Sequence, residues 1–308
     1  LLLANEEGRR RAALAKWLTD RGNPLTWRSI VNRVWQYHFG RGIVETPNDL
    51  GRMGALPTHP ELLDWLAVEF RDNGQSLKRL HKLIVTSHTY QQASQISDFG
   101  FRIADSQTST SNPQSAIHNP QSIDSDNRFL WRANRRRLEA EAIRDAVLAA
   151  AGRLDSSMGG PSFQDFVIER PEHSPHYEYH LFDPDDPKSH RRSIYRFLVR
   201  SQPQPFMTTL DCADPSLRVD KRNESLSALQ ALATLNNGFM VAMSRHFAAR
   251  IAKETDDPEQ QVMLLFRLAL ARQPATEERA ALVDYVKQHG LANACRVVLN
   301  LNEFAFVD

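Results

Sequence analysis

Apolar positions recur at helical spacing along most of this chain, and each run is bounded by residues that start or stop helices. Asn23-Pro24 supplies an N-cap followed by proline at the first helical position, where a missing N–H costs nothing. Behind it Trp27, Val31, Val34 and His38 fall on one face, with Ile30 and Tyr37 beside them, and Gly40 and Gly42 end the helix. Thr58-His59-Pro60-Glu61 reads as a capping box, with the Thr58 hydroxyl accepting from a first-turn amide and Glu61 reaching back. It precedes a stripe of Leu62, Leu63, Leu66, Ala67 and Phe70. Ser76 caps a further helix whose stripe is Leu77, Leu80, Leu83, Ile84 and Ser87.

The pattern stops abruptly at 105–126, where there is no Lys, no Arg and no aromatic residue. There Asn112-Pro113-Gln114-Ser115 recurs as Asn119-Pro120-Gln121-Ser122. Such a stretch offers too little apolar area to offset its conformational entropy, which predicts a disordered linker or insertion. Helical composition returns from Arg135 to Ala151, ending at Gly152. Residues 154–223 are punctuated by eight prolines from Pro161 to Pro215, and the best strand pattern lies at Ser193–Arg200. The last third is helical again. One helix begins at Ser225 with Leu226, Leu229 and Leu232, and breaks at Asn236-Asn237-Gly238. Others are capped by Asp257-Pro258, start at Thr276, close at His289-Gly290, and run from Leu291 to Leu301. The expected fold is mainly α and multi-helical, with a Pro-rich irregular segment carrying one or two short strands. Its parts are an N-terminal helical part (1–104), the linker (105–126) and a C-terminal helical part (127–308) that includes 154–223.

Charge and composition narrow the function classes. The 308 residues carry 38 basic and 37 acidic side chains, a net of +1, leaving no cationic surplus for many phosphates. The runs Arg9-Arg10-Arg11 and Arg135-Arg136-Arg137 have glutamates nearby and read as helix-surface ion pairs rather than a nucleic-acid footprint. No apolar run approaches the ~18 residues of a transmembrane span. Two cysteines, Cys212 and Cys295, make neither a disulfide framework nor a four-cysteine zinc site; they pair, stay reduced or sit buried as small apolar groups. The chain opens Leu1-Leu2-Leu3-Ala4 and runs straight into charge, so it reads as the downstream part of something longer.

Templates for chemistry are sparse. There is no P-loop, dinucleotide fingerprint, nucleophile elbow or His-Glu-x-x-His. Without Cys-x-x-Cys-His the chain attaches no c-type haem. The densest polar cluster is His173, His176, Glu178, His180, Asp183, Asp185, Asp186 and His190, from which His173, His176, His180 and Asp183 are candidate metal ligands. Their spacing matches no template, and histidines in a polar loop are ordinarily solvated. His81 and His88 are predicted on the same side of one helix, where they read first as ordinary flank histidines and otherwise as base and partner or axial ligands to a borrowed haem, and His38 lies beside Trp35 and Tyr37 at a core edge. Asp49, Asp64, Asp165, Glu169 and Glu178 are candidates for paired acid–base work.

The residues 23–44, with Val31-Asn32-Arg33-Val34-Trp35-Gln36-Tyr37-His38-Phe39-Gly40-Arg41-Gly42, resemble one family. So do Pro47-Asn48-Asp49-Leu50-Gly51, Pro57-Thr58-His59-Pro60-Glu61-Leu62-Leu63-Asp64-Trp65-Leu66, Met158-Gly159-Gly160-Pro161 and Arg191-Arg192-Ser193-Ile194-Tyr195. The family is the planctomycete-type C-terminal domain of unknown function found downstream of cytochrome-c-like modules in large exported bacterial proteins. The resemblance implies no catalytic residue. It implies a periplasmic or cell-envelope setting and no cofactor in this chain, with haem in a missing upstream module. The implied partners are the upstream domains of the same protein, with polysaccharide or another envelope protein as further possibilities. Two functions follow: a non-catalytic helical interaction or accessory module, or an enzyme acting on polysaccharide through carboxylates or a His-rich metal site.

Limited proteolysis tests the linker: cleavage is expected first within 105–126, and strong hydrogen-exchange protection there would contradict the assignment.

Overall fold

The computed structural model describes residues 7–94, 123–170, 174–217 and 219–307, and most of them are helical. Most of the 105–126 segment, up to residue 122, lies outside the described residues. The chain divides into two compact units, one ending at Arg136 and one spanning Arg137–Val307.

In the first unit, α1 (Glu7–Leu18) has no buried residue, and its Arg11 pairs with Glu7. α2 (Pro24–Phe39) starts as its sequence dictates: the Asn23 side chain accepts from Leu25 N–H, and Gly40 ends the helix in the left-handed region at φ 77°. Trp27, Val31, Val34, Trp35 and Phe39 are buried against α3 (Pro60–Asp72) and α4 (Leu77–Val85). Leu63, Leu66, Ala67 and Phe70 of α3 and Leu80 and Ile84 of α4 complete this core. Asn32 is fully buried inside it, because its amide replaces a strand partner: Nδ2 donates to the Val44 carbonyl (2.9 Å) and Oδ1 accepts from the Val44 N–H (2.8 Å). A Cβ on Gly42 would stand 2.5 Å from that carbonyl, so only glycine fits beside the clasp.

The capping box at Thr58 does not form. The N-cap is His59 and has no side-chain cap bond. Thr58 instead ties the preceding loop down, its N–H donating to the Ile43 carbonyl (2.9 Å) and its hydroxyl lying 2.9 Å from His59 Nδ1. Pro60 at the first position starts the helix without it. α4 ends at Val85, so His88 is not on its face.

In the second unit, α5 (Ala140–Ala150), α8 (Gly238–Ala252), α9 (Pro258–Leu270), α10 (Thr276–His289) and α11 (Leu291–Leu299) build one core, with α8 lying along α11. Met240, Met243, Phe247, Ile251, Val262, Leu265 and Cys295 are fully buried in it. Two short helices, α6 (Pro205–Thr209) and α7 (Ala228–Asn236), and the terminal turn α12 (Asn302–Ala305) complete it. Arg272 spans Glu278 (2.7 Å) and Glu303 (2.5 Å), and this guanidinium holds the Glu278 carboxyl down at about 2. Both cysteines are free.

Three expectations shift here. The helix predicted from Arg135 starts at Ala140, because Leu138 N–H is committed to the Ala305 carbonyl (2.7 Å) and Arg137 is buried on Asp211 (3.1 Å) and the Ser225 carbonyl. Tertiary bonds outbid the propensity. The cap of α7 is Ser227, in a capping box with Gln230, rather than Ser225, whose N–H and hydroxyl both go to Asp211. Gln230 is the buried position of α7, while Leu226, Leu229 and Leu232 face solvent.

The strand predicted at Ser193–Arg200 is also displaced. Ser193–Tyr195 forms a 3-10 turn, and Phe163 brackets the following residues through bonds to Tyr195 and Phe197. The segment's strands are β1 (Val167–Glu169) and β2 (His176–Glu178), antiparallel with Ile168 opposite Tyr177. The cause is a neighbouring helix that takes the ladder groups. Asp145 accepts from the Ser193 N–H (2.8 Å) and hydroxyl (2.7 Å). Arg144 donates to the carbonyls of Ser189 (2.5 Å) and Arg191 (3.0 Å) and to Ser193 Oγ (3.2 Å).

Leu66→Ala is expected to cost ~2–5 kcal/mol, as a buried leucine deletion does. Thr58→Ala should cost no more than ~1 kcal/mol, because the backbone tie survives; a urea melt reversing that order would refute this placement. Arg144→Leu should cost ~3–5 kcal/mol, the range for removing one member of a buried charged set. Loss below ~1 kcal/mol would mean that the irregular segment holds itself.

Candidate functional site

The chemistry-bearing residues of the second unit converge on a cavity of about 420 Å³, within the usual size of small-ligand sites. Its walls come from distant parts of the sequence: Arg144 on α5, Asp165, Tyr179, His180, Phe182 and Pro184 from the irregular segment, and the first turns of α6 and of α8. Tyr179, Phe182, Phe206 and Phe239 give it an apolar body.

Arg144 is 5% exposed, and its guanidinium carbon lies 4.9 Å from the Phe163 ring and 5.4 Å from that of Phe239. Burial pulls its pKa down to about 10, against the opposing pull of Asp145 and Asp165, so it stays cationic at neutral pH. Asp165 is 8% exposed, and its Oδ2 lies 3.8 Å from Arg196 Nη1. Its Oδ1 has no hydrogen-bond partner. Burial pushes the Asp165 carboxyl upward, and the charges of Arg196 and Arg144 oppose the shift. Tyr179 donates its hydroxyl to the Gln202 carbonyl (2.7 Å), and burial raises that phenol to about 12. At the cavity's exposed edge, Asn237 caps α8 by accepting from Phe239 N–H (3.0 Å), and a Cβ on Gly238 would meet nothing within 4 Å.

The candidate metal ligands are distributed differently. His173 lies outside the described residues. His176 is on β2, exposed, opposite Glu169. His180 lines the cavity, mostly exposed, with Nδ1 3.2 Å from Glu178 Oε2. Asp183 is exposed, and its carboxylate accepts the Asp185 N–H (2.9 Å). Asp185 bonds His246 Nε2 (2.7 Å), and His190 is buried with Nε2 on the Pro184 carbonyl (3.0 Å). Among the described residues, no group of three or more His, Cys, Asp or Glu side chains comes together in a way that can hold a metal ion.

The other candidates also have local occupations. Asp49 caps a turn through Gly51 N–H (2.8 Å), and Asp64 pairs with Arg28 (2.6 Å). His81 meets His38 rather than His88: Nε2 of His38 lies 2.7 Å from Nδ1 of His81, with Tyr90 edge-on. Burial, then His81 and Arg136, lower the His38 pKa. Arg191 stacks on Tyr195 and donates to the Gly159 and Pro161 carbonyls. Of the cavity's key residues, Asp165 stood among the sequence candidates and Arg144 did not. The helix break at Asn237-Gly238 is the one sequence signal for this edge of the cavity.

No curated protein and no solved structure matches this chain. No helix among the described residues is long and apolar enough to cross a membrane. The family model of PSD1, protein of unknown function (DUF1553), matches residues 10–286. That match spans both units and agrees with the resemblance read from the motifs, and the chain belongs to this family.

Proposed function

We propose that this chain is a non-catalytic accessory module of a larger exported protein, and that its second unit binds a small ligand in the cavity walled by Arg144 and Asp165. The observation that carries the reading is the cavity of about 420 Å³, lined by four aromatic rings and by the buried charged residues Arg144 and Asp165. Concave sites with an apolar body and a few convergent polar groups are where small ligands bind. The placement in the periplasm or cell envelope, and haem on an upstream module, rest on the family resemblance alone.

The enzymatic reading on polysaccharide is weaker on this geometry. Glycosidic cleavage uses two carboxyl groups ~5–10 Å apart across the scissile bond. Asp165 is the one carboxylate lining this cavity among the described residues, and Glu178 is engaged by His180.

Gly238 is an exposed residue lining the cavity, and a Cβ added there meets nothing within 4 Å, so Gly238→Leu sets a bulky side chain at the cavity's edge. In a ligand-observed NMR fragment screen on the full chain, wild type should bind a subset of fragments that this variant loses by at least about tenfold, at an unchanged melting temperature. Binding that survives Gly238→Leu, or no binding at all, defeats the proposal.

A further inference from the structure

We infer that the contact between His38 and His81 is an acid-sensitive latch at the edge of the first unit. It holds α4 and the turn after it to the end of α2 while at most one of the two imidazoles is charged, and it opens when both are.

His38 stands in the last turn of α2 and His81 near the middle of α4. Nε2 of the first lies 2.7 Å from Nδ1 of the second, with ring centroids 5.0 Å apart. Two ring nitrogens this close share one proton: one donates its N–H and the other accepts through its lone pair. The Tyr90 ring meets His38 at 5.6 Å and Phe39 at 5.8 Å, both near a right angle. The turn that carries Tyr90, closed by Tyr90 and Gln91 N–H on the Ser87 carbonyl, therefore rests on this pair. His81 is exposed and His38 half-buried, so protons reach the pair from solvent.

The proton count sets the behaviour. With both rings neutral the bond is intact. A further proton goes to an outer nitrogen, His38 Nδ1 or His81 Nε2, and the central bond becomes charge-assisted. The next proton puts an N–H on both facing nitrogens, which removes the acceptor and sets two cations against each other.

The surroundings do not offset that repulsion. The titratable groups facing His38 are His81 from α4, Tyr90 from the turn and Arg136, and none is a carboxylate. Arg136 runs along the end of α2, its Cδ 3.4 Å from where a Cβ on Gly40 would stand. The helix dipole favours a cation there, and Arg136 already supplies one. The carboxylates of α3 that reach α2 and α4 are engaged elsewhere, Asp64 on Arg28 and Glu69 on Arg79. Burial, His81 and Arg136 accordingly lower the His38 pKa. A free histidine takes up its proton near pH ~6.5, and the latched pair takes its last one only below that. The opened form thus binds more protons in that window, so the latch is at full strength above it and weakens as pH falls through it. Leu80 and Ile84, which anchor α4 in the core, do not titrate, and the opening stays at the edge.

Hydrogen exchange on the full chain, corrected for the intrinsic pH dependence of the rates, tests this. Protection of the Tyr90 and Gln91 amides should fall about three- to tenfold from about pH 7.5 to about pH 5, the range for losing one hydrogen bond. In His81→Gln, whose amide bonds His38 in either protonation state, protection should be the same at both pH values. Unchanged protection in the wild type overturns the inference, and so does an equal fall in His81→Gln. If the variant does not fold, an NMR titration of the wild-type imidazoles decides. The pair should then show a step displaced below the ordinary ~6.5, and two independent titrations at that value overturn the latch.

Discussion

The guanidinium of Arg144 joins an alanine-rich helix to a segment that prolines keep from forming regular structure. Taking that charge out of water is expensive, and the cost is offset because its N–H groups meet two carbonyls and a hydroxyl while its faces rest on Phe163 and Phe239. Asp145, the next residue, holds Ser193 from the other side of the same helical turn. Together they fix residues 189–193. The bracket between Phe163 and Tyr195–Phe197 follows from that placement, and Asp165 two residues on is carried into the cavity wall. Residues 189–193 are thus held by side chains of α5 rather than by a strand ladder.

This explains which parts of the molecule its sequence discloses. Helices whose starts depend on neighbouring residues are readable: Asn23-Pro24, Ser76, Asp257-Pro258 and the Asn237 break all act locally, through a side chain and an amide within a turn. Thr58 and Ser225 carry the same kind of signal and do something else, because a distant carbonyl and a distant carboxylate claim them. Ser193–Arg200 has the composition of a strand, but its first residues are spoken for by Asp145 and Arg144. Local rules fail where long-range bonds to the same atoms are available.

The cavity was hidden for a related reason. Arg144 sits in a stretch whose composition says only helix, and nothing in its immediate surroundings marks it as buried. Asp165 and Gly238 are separated by most of the irregular segment and two helices. The His-rich cluster drew notice because its residues are close in sequence, yet His180 and Asp185 turn to different partners, Glu178 and His246. Proximity along the chain is a poor guide to convergence in an irregular segment.

The clasp between Asn32 and Val44 has a consequence for protein engineering. It closes one leg of the loop at its base, and the Thr58 N–H to Ile43 bond closes the other, so the stem is held by groups outside the loop's tip. Met53 and Leu56 near that tip are 89% and 86% exposed, and no core contact depends on them. The tip is accordingly a natural point for grafting a foreign epitope or reporter peptide, since lengthening a loop whose ends are already pinned adds only a slowly growing closure entropy.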